Sequence, residues 1–443
     1  MVVSLAVLYA LTLLPALLAV VGPRVNSLRL PFIHPERSRT GRGLWHAVAV
    51  TVMTHPWAVF LSVSALLLVL GMPFLHLQVG SGDVNALPPS ASSRKGDEAL
   101  REHFAGGDSN RILVVVRYAE GSPLTAERVG GLYDLSRWLA KLPNVGRVES
   151  MVDLDPRVTR EQYQQLATAP ASMRPPGVDQ VLRQTVGGRL ALLVVATALK
   201  PSSAEARALV QEIRTSHPAI GGEVLVTGQT AFDLDIIDLV TRHSPRTVGL
   251  VMLATYVVLF LLLGSVLLPL KAVIMNLLSI SASYGALVWI FQQGHLSGWL
   301  DFTPGPIQTA TPLIMFCFVF GLSMDYEVLL LSRVREEYER HGDTTRAVAD
   351  ALESTGRLIT GAAAIMAAVF FGFATAGSVI IQAVGVGIGL AVVIDATIVR
   401  ALLVPATMRL MGRWNWWAPG PLASLHRRLG LAERSRNVEV VPR

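Results

Sequence analysis

Asp325 and Tyr326 stand side by side in an apolar run, Phe320-Gly321-Leu322-Ser323-Met324-Asp325-Tyr326-Glu327, within a hydrophobic stretch that begins near Thr309. Insertion scales put an Asp at a membrane-helix centre at roughly +2.5–3.5 kcal/mol, so such a residue faces protein and does a job. A carboxyl held between hydrocarbon and water can bind a proton from one side and release it to the other. A neighbouring phenol can donate a hydrogen bond to it or hold a water beside it. The plainer alternative is an Asp satisfied by a nearby Arg or hydroxyl, with a structural role only.

Other polar residues share this apolar setting. Asp395 and Arg400 are five apart, which on an α-helix is about 500° and leaves the side chains about 140° apart. The spacing therefore predicts no pair within the helix. Each side chain reaches the cytoplasmic face or another helix instead, in a structural or gating role. Asn276, Ser279 and Ser283 share one helix face and read as packing contacts, with a proton path as the alternative. Asp233, Asp235 and Asp238 read as a solvated helix face, because their offsets do not converge on one octahedral centre. No metal-ligand set or cofactor motif is expected, and the lone Cys317 reads as a small hydrophobe.

The elements that hold these residues are membrane helices. The chain has 443 residues, 51% hydrophobic and 16% charged, with mean hydropathy +0.48; this suits a multi-span membrane protein. The pI near 9.7 does not imply nucleic acid, since many arginines flank hydrophobic runs where anionic headgroups lie. Seven runs are long enough to cross a bilayer: 2–22, 56–76, 245–267, 270–292, 309–332, 358–377 and 379–409. The first lacks a basic n-region, so it reads as a membrane helix and not a cleavable leader.

The positive-inside rule orients these spans. A basic linker (23–55) with Arg24, Arg29, Arg37, Arg39 and Arg42 is cytoplasmic, and the span 56–76 carries the chain outward. A five-helix bundle (244–409) encloses a cytoplasmic helical hairpin (333–357) broken at Gly342-Asp343-Thr344, and a basic cytoplasmic tail (410–443) follows. The small residues of 361–368 and 385–389 allow helices to approach closely and to slide. Between the second and third spans, 77–243 forms an extracytoplasmic α+β domain. Its strands at 111–118, 145–154, 190–197 and 223–227 and helices at 124–142 and 204–216 follow the split βαβ pattern of ferredoxin-like domains. A loop-rich insertion is expected over 155–188, and a helix runs from Gln229 straight into the third span.

An internal echo accompanies this plan. Leu13-Leu14-Pro15-Ala16 with Gly22 and Asn26 is similar to Leu403-Val404-Pro405-Ala406 with Gly412 and Asn415. Duplicated transporters show such weak symmetry, which makes 1–22 the last helix of an earlier repeat.

Three stretches carry a family resemblance: GLSMDYEVLLLSRVREEY at 321–338, DATIVRALLVPATMRLMGRWNWW at 395–417 and VTGQTAFDLDI at 226–236. The chain resembles the MMPL (mycobacterial membrane protein large) transporters of the resistance-nodulation-division superfamily, as their second half preceded by the last helix of the first. The resemblance implies export of lipids or other hydrophobic compounds across the bacterial cell membrane, driven by the proton-motive force, with the outer domain as a porter domain. It also implies that Asp325 and Tyr326 form a proton relay with a matching pair on a complementary half or a second copy. Two other readings stand beside it. One is an inactive fragment or a membrane-bound regulator with a ligand-binding outer domain. The other is an intramembrane aspartyl protease using Asp325 and Asp395, whose Gly-x-Gly-Asp context is missing here.

Overall fold

A computed structural model of the protein describes residues 2–22, 24, 43–80, 84–103, 110–170, 174 and 177–428. Its longest apolar runs are helices, the open-chain form that satisfies every backbone N–H and C=O without water. Among the described residues, six helices are long and apolar enough to cross a membrane: Pro56–His76, Gln229–Leu263, Leu267–Gln292, Thr311–His341, Thr344–Thr375 and Val379–Trp416. The span expected at 2–22 falls on α1 (Val2–Val21), which contributes a shorter apolar stretch, Val7–Val21.

The expected linker 23–55 contains a helix, α2 (Leu44–Thr54), which corrects the sequence reading. It is too short and too weakly amphipathic to stand out by pattern, yet Ala49 and Met53 are buried in the bundle core. Gly356 makes room for it, since a Cβ there would lie 2.7 Å from the Trp45 ring. Arg29, Arg37, Arg39 and Arg42 lie outside the described residues, as do Arg434 and Arg436 of the tail. The chain then follows α3 (Pro56–Gly71), β1 (Val79–Gly80) and α4 (Ser92–His103) into an α/β unit.

That unit contains β2 (Asn110–Arg117), α5 (Ala126–Leu139), β3 (Arg147–Glu149), α6 (Arg160–Thr168), α7 (Val178–Thr185), β4 (Val186–Gly187), β5 (Leu190–Thr197), α8 (Ala204–Ser216) and β6 (Glu223–Thr227). The strand order β3-β5-β2-β6 is antiparallel throughout, which is the split βαβ arrangement. Alternation explains the one-sided core: Ile112, Val114 and Val116 of β2 and Ala191, Leu193 and Val195 of β5 pack beneath α5 and α8. Two expectations change. The strand expected at 145–154 shrinks to three residues. The insertion 155–188 holds two helices, with Thr159 capping α6 through a capping box; its prolines flank these helices and do not interrupt them.

α9 (Gln229–Leu263) leaves the sheet and enters the bundle without a break. α10 (Leu267–Leu287), α11 (Ser297–Leu300), β7 (Ile307–Gln308), α12 (Thr311–His341) and α13 (Thr344–Gly372) follow. α14 (Val379–Ile394) then passes into a π-helical segment, Asp395–Leu403, before α15 (Val404–Met411) and α16 (Gly420–Arg428). Gly342 ends α12 at φ 70°, and the Asp343 carboxylate accepts from Thr345 N–H at 2.8 Å to start α13. β1 and β7 pair in parallel at the domain end of the bundle.

Glycines set the closest approaches. A Cβ on Gly285 would sit 1.8 Å from the Leu70 carbonyl oxygen, and one on Gly385 would sit 2.6 Å from that of Phe370. Gly361, by contrast, faces open space. Gly22 and Gly412, the two glycines of the internal echo, follow α1 and α15 with φ of 53° and 51°.

Candidate functional site

α12 positions the first acid. Two residues on a helix are about 200° apart, so Asp325 and Glu327 point to opposite sides. Asp325 lies on an exposed stripe with Ile314, Phe318 and Gly321, spaced at 0, 4, 7 and 11, a single helix face. It has no hydrogen bond or ion pair to another described residue. Among the described residues the expected enclosure of Asp325 is not seen, because no other described element covers that stripe. Tyr326 is half-buried between the two faces, its ring 5.3 Å from the Arg400 guanidinium carbon.

The π-helical segment positions the second group. Arg400 donates to Asp395 Oδ2 from Nε at 3.0 Å and from Nη2 at 2.8 Å. Both residues are buried, at 1% and 3% exposure. This overturns the divergence expected from α-helical spacing. In a π-helix the backbone bonds run from i to i+5, so residues five apart stack on one side and do not splay. Arg400 Nη2 also donates to the Ser323 carbonyl oxygen, tying the segment to α12 beside Tyr326. Asp395 is paired with Arg400, and no hydrogen bond joins it to Asp325, whereas the two carboxyls of an aspartyl protease must meet over one proton.

Asn276, Ser279 and Ser283 are fully buried on α10, as a packing face requires. Ser283 Oγ donates to the Ser279 carbonyl at 3.0 Å, while the Asn276 amide and the Ser279 hydroxyl have no hydrogen-bond partner among the described residues. Two residues missed by the sequence reading complete the interior. Glu327 is 0% exposed and Lys271, near the start of α10, is 8% exposed. Glu327 lies within electrostatic reach of Arg400, Lys271 and Asp395. An ionisable residue inside each span was the available signal. Lys271 was lost beside its apolar neighbours, and Glu327 beside the more conspicuous Asp325.

The acids of α9 have separate partners, so they share no cation. Asp233 is buried, against expectation, and accepts from Gln229 Nε2 at 2.9 Å; Asp235 pairs with Arg214 at 2.6 Å and Asp238 with Arg242 at 2.9 Å. At the hairpin, Glu337, His341 and Asp350 bring ligand-type atoms within 4.8 Å of one another. Those carboxylates already face cations: Glu337 pairs with Arg333 and Arg340, and Asp350 with Arg346.

Where the α/β unit meets the bundle, a cavity of about 710 Å³ opens between Lys200, Glu205 and Arg207 on one side and Phe291, Val379 and Ile380 on the other. Its size suits a small-molecule or lipid-headgroup site.

Comparison with known proteins gives a consistent picture. The sequence model of the MMPL family matches residues 85–436. A membrane protein of Streptomyces coelicolor is 35% identical over 98% of this chain and 54% of its own length. The trehalose monomycolate exporter MmpL3 of Mycobacterium tuberculosis is 31% identical over 97% of this chain and 46% of its own. The heme uptake protein MmpL11 of the same species is 33% identical over 96% of this chain and 41% of its own. The chain thus spans about half the length of the curated relatives it matches.

Proposed function

The chain belongs to the MMPL family, and from that premise we propose that it forms one half of a proton-driven exporter of lipids or other hydrophobic compounds in the bacterial cell membrane. The observation that carries this reading is the exposed Asp325 on an otherwise apolar stripe of α12, with Tyr326 and Arg400 behind it. Left against lipid, that carboxylate costs a few kcal/mol. Covered by a complementary half or a second copy of the chain, it becomes one side of a relay, and Tyr326 links it to the buried Asp395–Arg400 pair. That pair acts as the structural or gating element of the relay.

The α/β unit acts as the porter domain outside the membrane, with the hairpin and the tail in the cytoplasm. This orientation follows the arginine-rich linker and tail. The cavity at the base of the porter domain is positioned to admit an amphiphile from the outer leaflet, its charged rim taking the head and Phe291, Val379 and Ile380 the tail. One proton crossing 100 mV releases about 2.3 kcal/mol, enough for roughly a fiftyfold concentration ratio. Several protons per cycle would move a poorly water-soluble lipid.

The test is efflux from vesicles under an imposed proton gradient. Asp325→Asn is expected to abolish gradient-driven efflux while leaving membrane insertion intact, and undiminished efflux in that variant would sink the proposal. Transport by the purified chain, shown by native mass spectrometry to be a monomer, would remove the need for a second half.

A further inference from the structure

Glu327 has no place in the relay just described, yet it is the most deeply buried acid of the bundle. Both of its carboxylate oxygens lack a hydrogen-bond partner among the described residues. So does Lys271 Nζ across from it on α10, as do Asp395 Oδ1 and Arg400 Nη1. A buried carboxylate with no donor loses hydration without replacement, a cost that a bound proton or a shared water relieves.

The charges around it come from two elements besides its own: Lys271 on α10, and Asp395 and Arg400 on the π-helical segment. Asp395 and Arg400 satisfy one another through Oδ2. Glu327 thus faces the Arg400 guanidinium and Lys271, both within electrostatic reach and neither close enough for a direct ion pair. A closed pair would hold its proton in one place; a separated pair can exchange it.

We propose that Glu327 is a second proton-binding carboxyl, built wholly within this chain and distinct from Asp325, and that Lys271 is its exchange partner toward the hairpin end of the bundle. The step balances without a co-reactant. With a bridging water as carrier, the O–H bond of the Glu327 carboxylic acid breaks, the water takes that proton and gives up one of its own, an N–H bond forms on neutral Lys271, and a neutral pair becomes an ion pair of zero net charge. Lys271 lies four residues into α10, about 6 Å from its start by helical rise, so its ammonium sits between the carboxyl and that end of the bundle. Asn276 and Ser279, five and eight residues further along the same helix and away from that end, carry polar atoms unpartnered among the described residues that can hold water on the other side. The chemical claim stands without any transport assay; its role in the cycle rests on the proton-driven reading above.

Infrared difference spectra of the full chain in lipid nanodiscs, recorded against pH in light and heavy water, test the claim. The expected result is a titrating, deuterium-sensitive carboxylic-acid C=O band that Glu327→Gln removes and Asp325→Asn leaves in place. Should Glu327→Gln fail to fold, the charge-neutral double variant Lys271→Met/Glu327→Gln takes its place, because it leaves no buried charge alone. A purely structural pair predicts that this double variant restores both stability and gradient-driven efflux. A proton-binding Glu327 predicts restored stability and lost efflux. A band untouched by either Glu327 variant, or restored efflux in the double variant, overturns the proposal. Efflux indifferent to Asp325→Asn, with the Glu327 band present, leaves this proposal standing and overturns the relay instead.

Discussion

The two acids of α12, two residues apart, live in opposite surroundings. Asp325 looks out from the chain across Gly321 and Phe318, with no described element over it. Glu327 looks inward to Lys271, Arg400 and Asp395 and is 0% exposed. The outer face leaves its carboxylate without a partner among the described residues. The inner face already contains every charge that balances its own. One helix therefore presents an acid left exposed by folding and an acid enclosed by it.

Substitutions that strike one face and spare the other test this contrast. The largest effect is expected at Arg400→Met, which strands the buried Asp395 and cuts the tie to Ser323. A loss of about 3–5 kcal/mol should appear in unfolding of the nanodisc-embedded chain. Replacing both partners, as Asp395→Leu/Arg400→Met, should recover most of it, since the destabilisation comes from the uncompensated charge. Next comes Gly387→Leu on the inner side of α14, where a Cβ would already lie 2.4 Å from Met315 Cε. Overpacking there should cost about 1–3 kcal/mol by the same measurement.

The outer face should respond far less in the isolated chain. Asp325→Asn should alter its stability by no more than about 0.5 kcal/mol, although it abolishes driven efflux. Gly321→Leu, whose Cβ would meet nothing within 4 Å, should also leave stability within about 0.5 kcal/mol. It should nevertheless weaken association with a second half or a second copy, read by native mass spectrometry. If Asp325→Asn destabilises the isolated chain as much as Arg400→Met does, the contrast between the faces is wrong.

Much of this architecture was legible from the chain because its signals are local. Long apolar runs, the Gly342-Asp343 break, and alternating strands such as Leu190–Thr197 each carry their own period and punctuation. The Asp-Tyr motif likewise lies on a helix, α12, as its apolar run predicts. The misses were of another kind. α2 was hidden because an eleven-residue apolar helix resembles neither a span nor an amphipathic surface helix. The helices of 155–188 were masked by the prolines that flank them. The Asp395–Arg400 pair was excluded by assuming α-helical winding, and a one-residue difference in the hydrogen-bond step reverses that geometry.

Residue type and hydropathy placed carboxylates at 325 and 395 inside apolar helices, because the cost of a charge in hydrocarbon depends on the residue and its run of neighbours. Which way each carboxylate faces depends on helices distant in sequence. α10 brings Lys271 within electrostatic reach of Glu327, and the π-helical segment swings Arg400 onto both Asp395 and Ser323. Asp325 remains exposed because no described element packs over its stripe. Burial is a property of the assembled bundle, so the division of α12 into an enclosed and an exposed face was decided only when the helices packed.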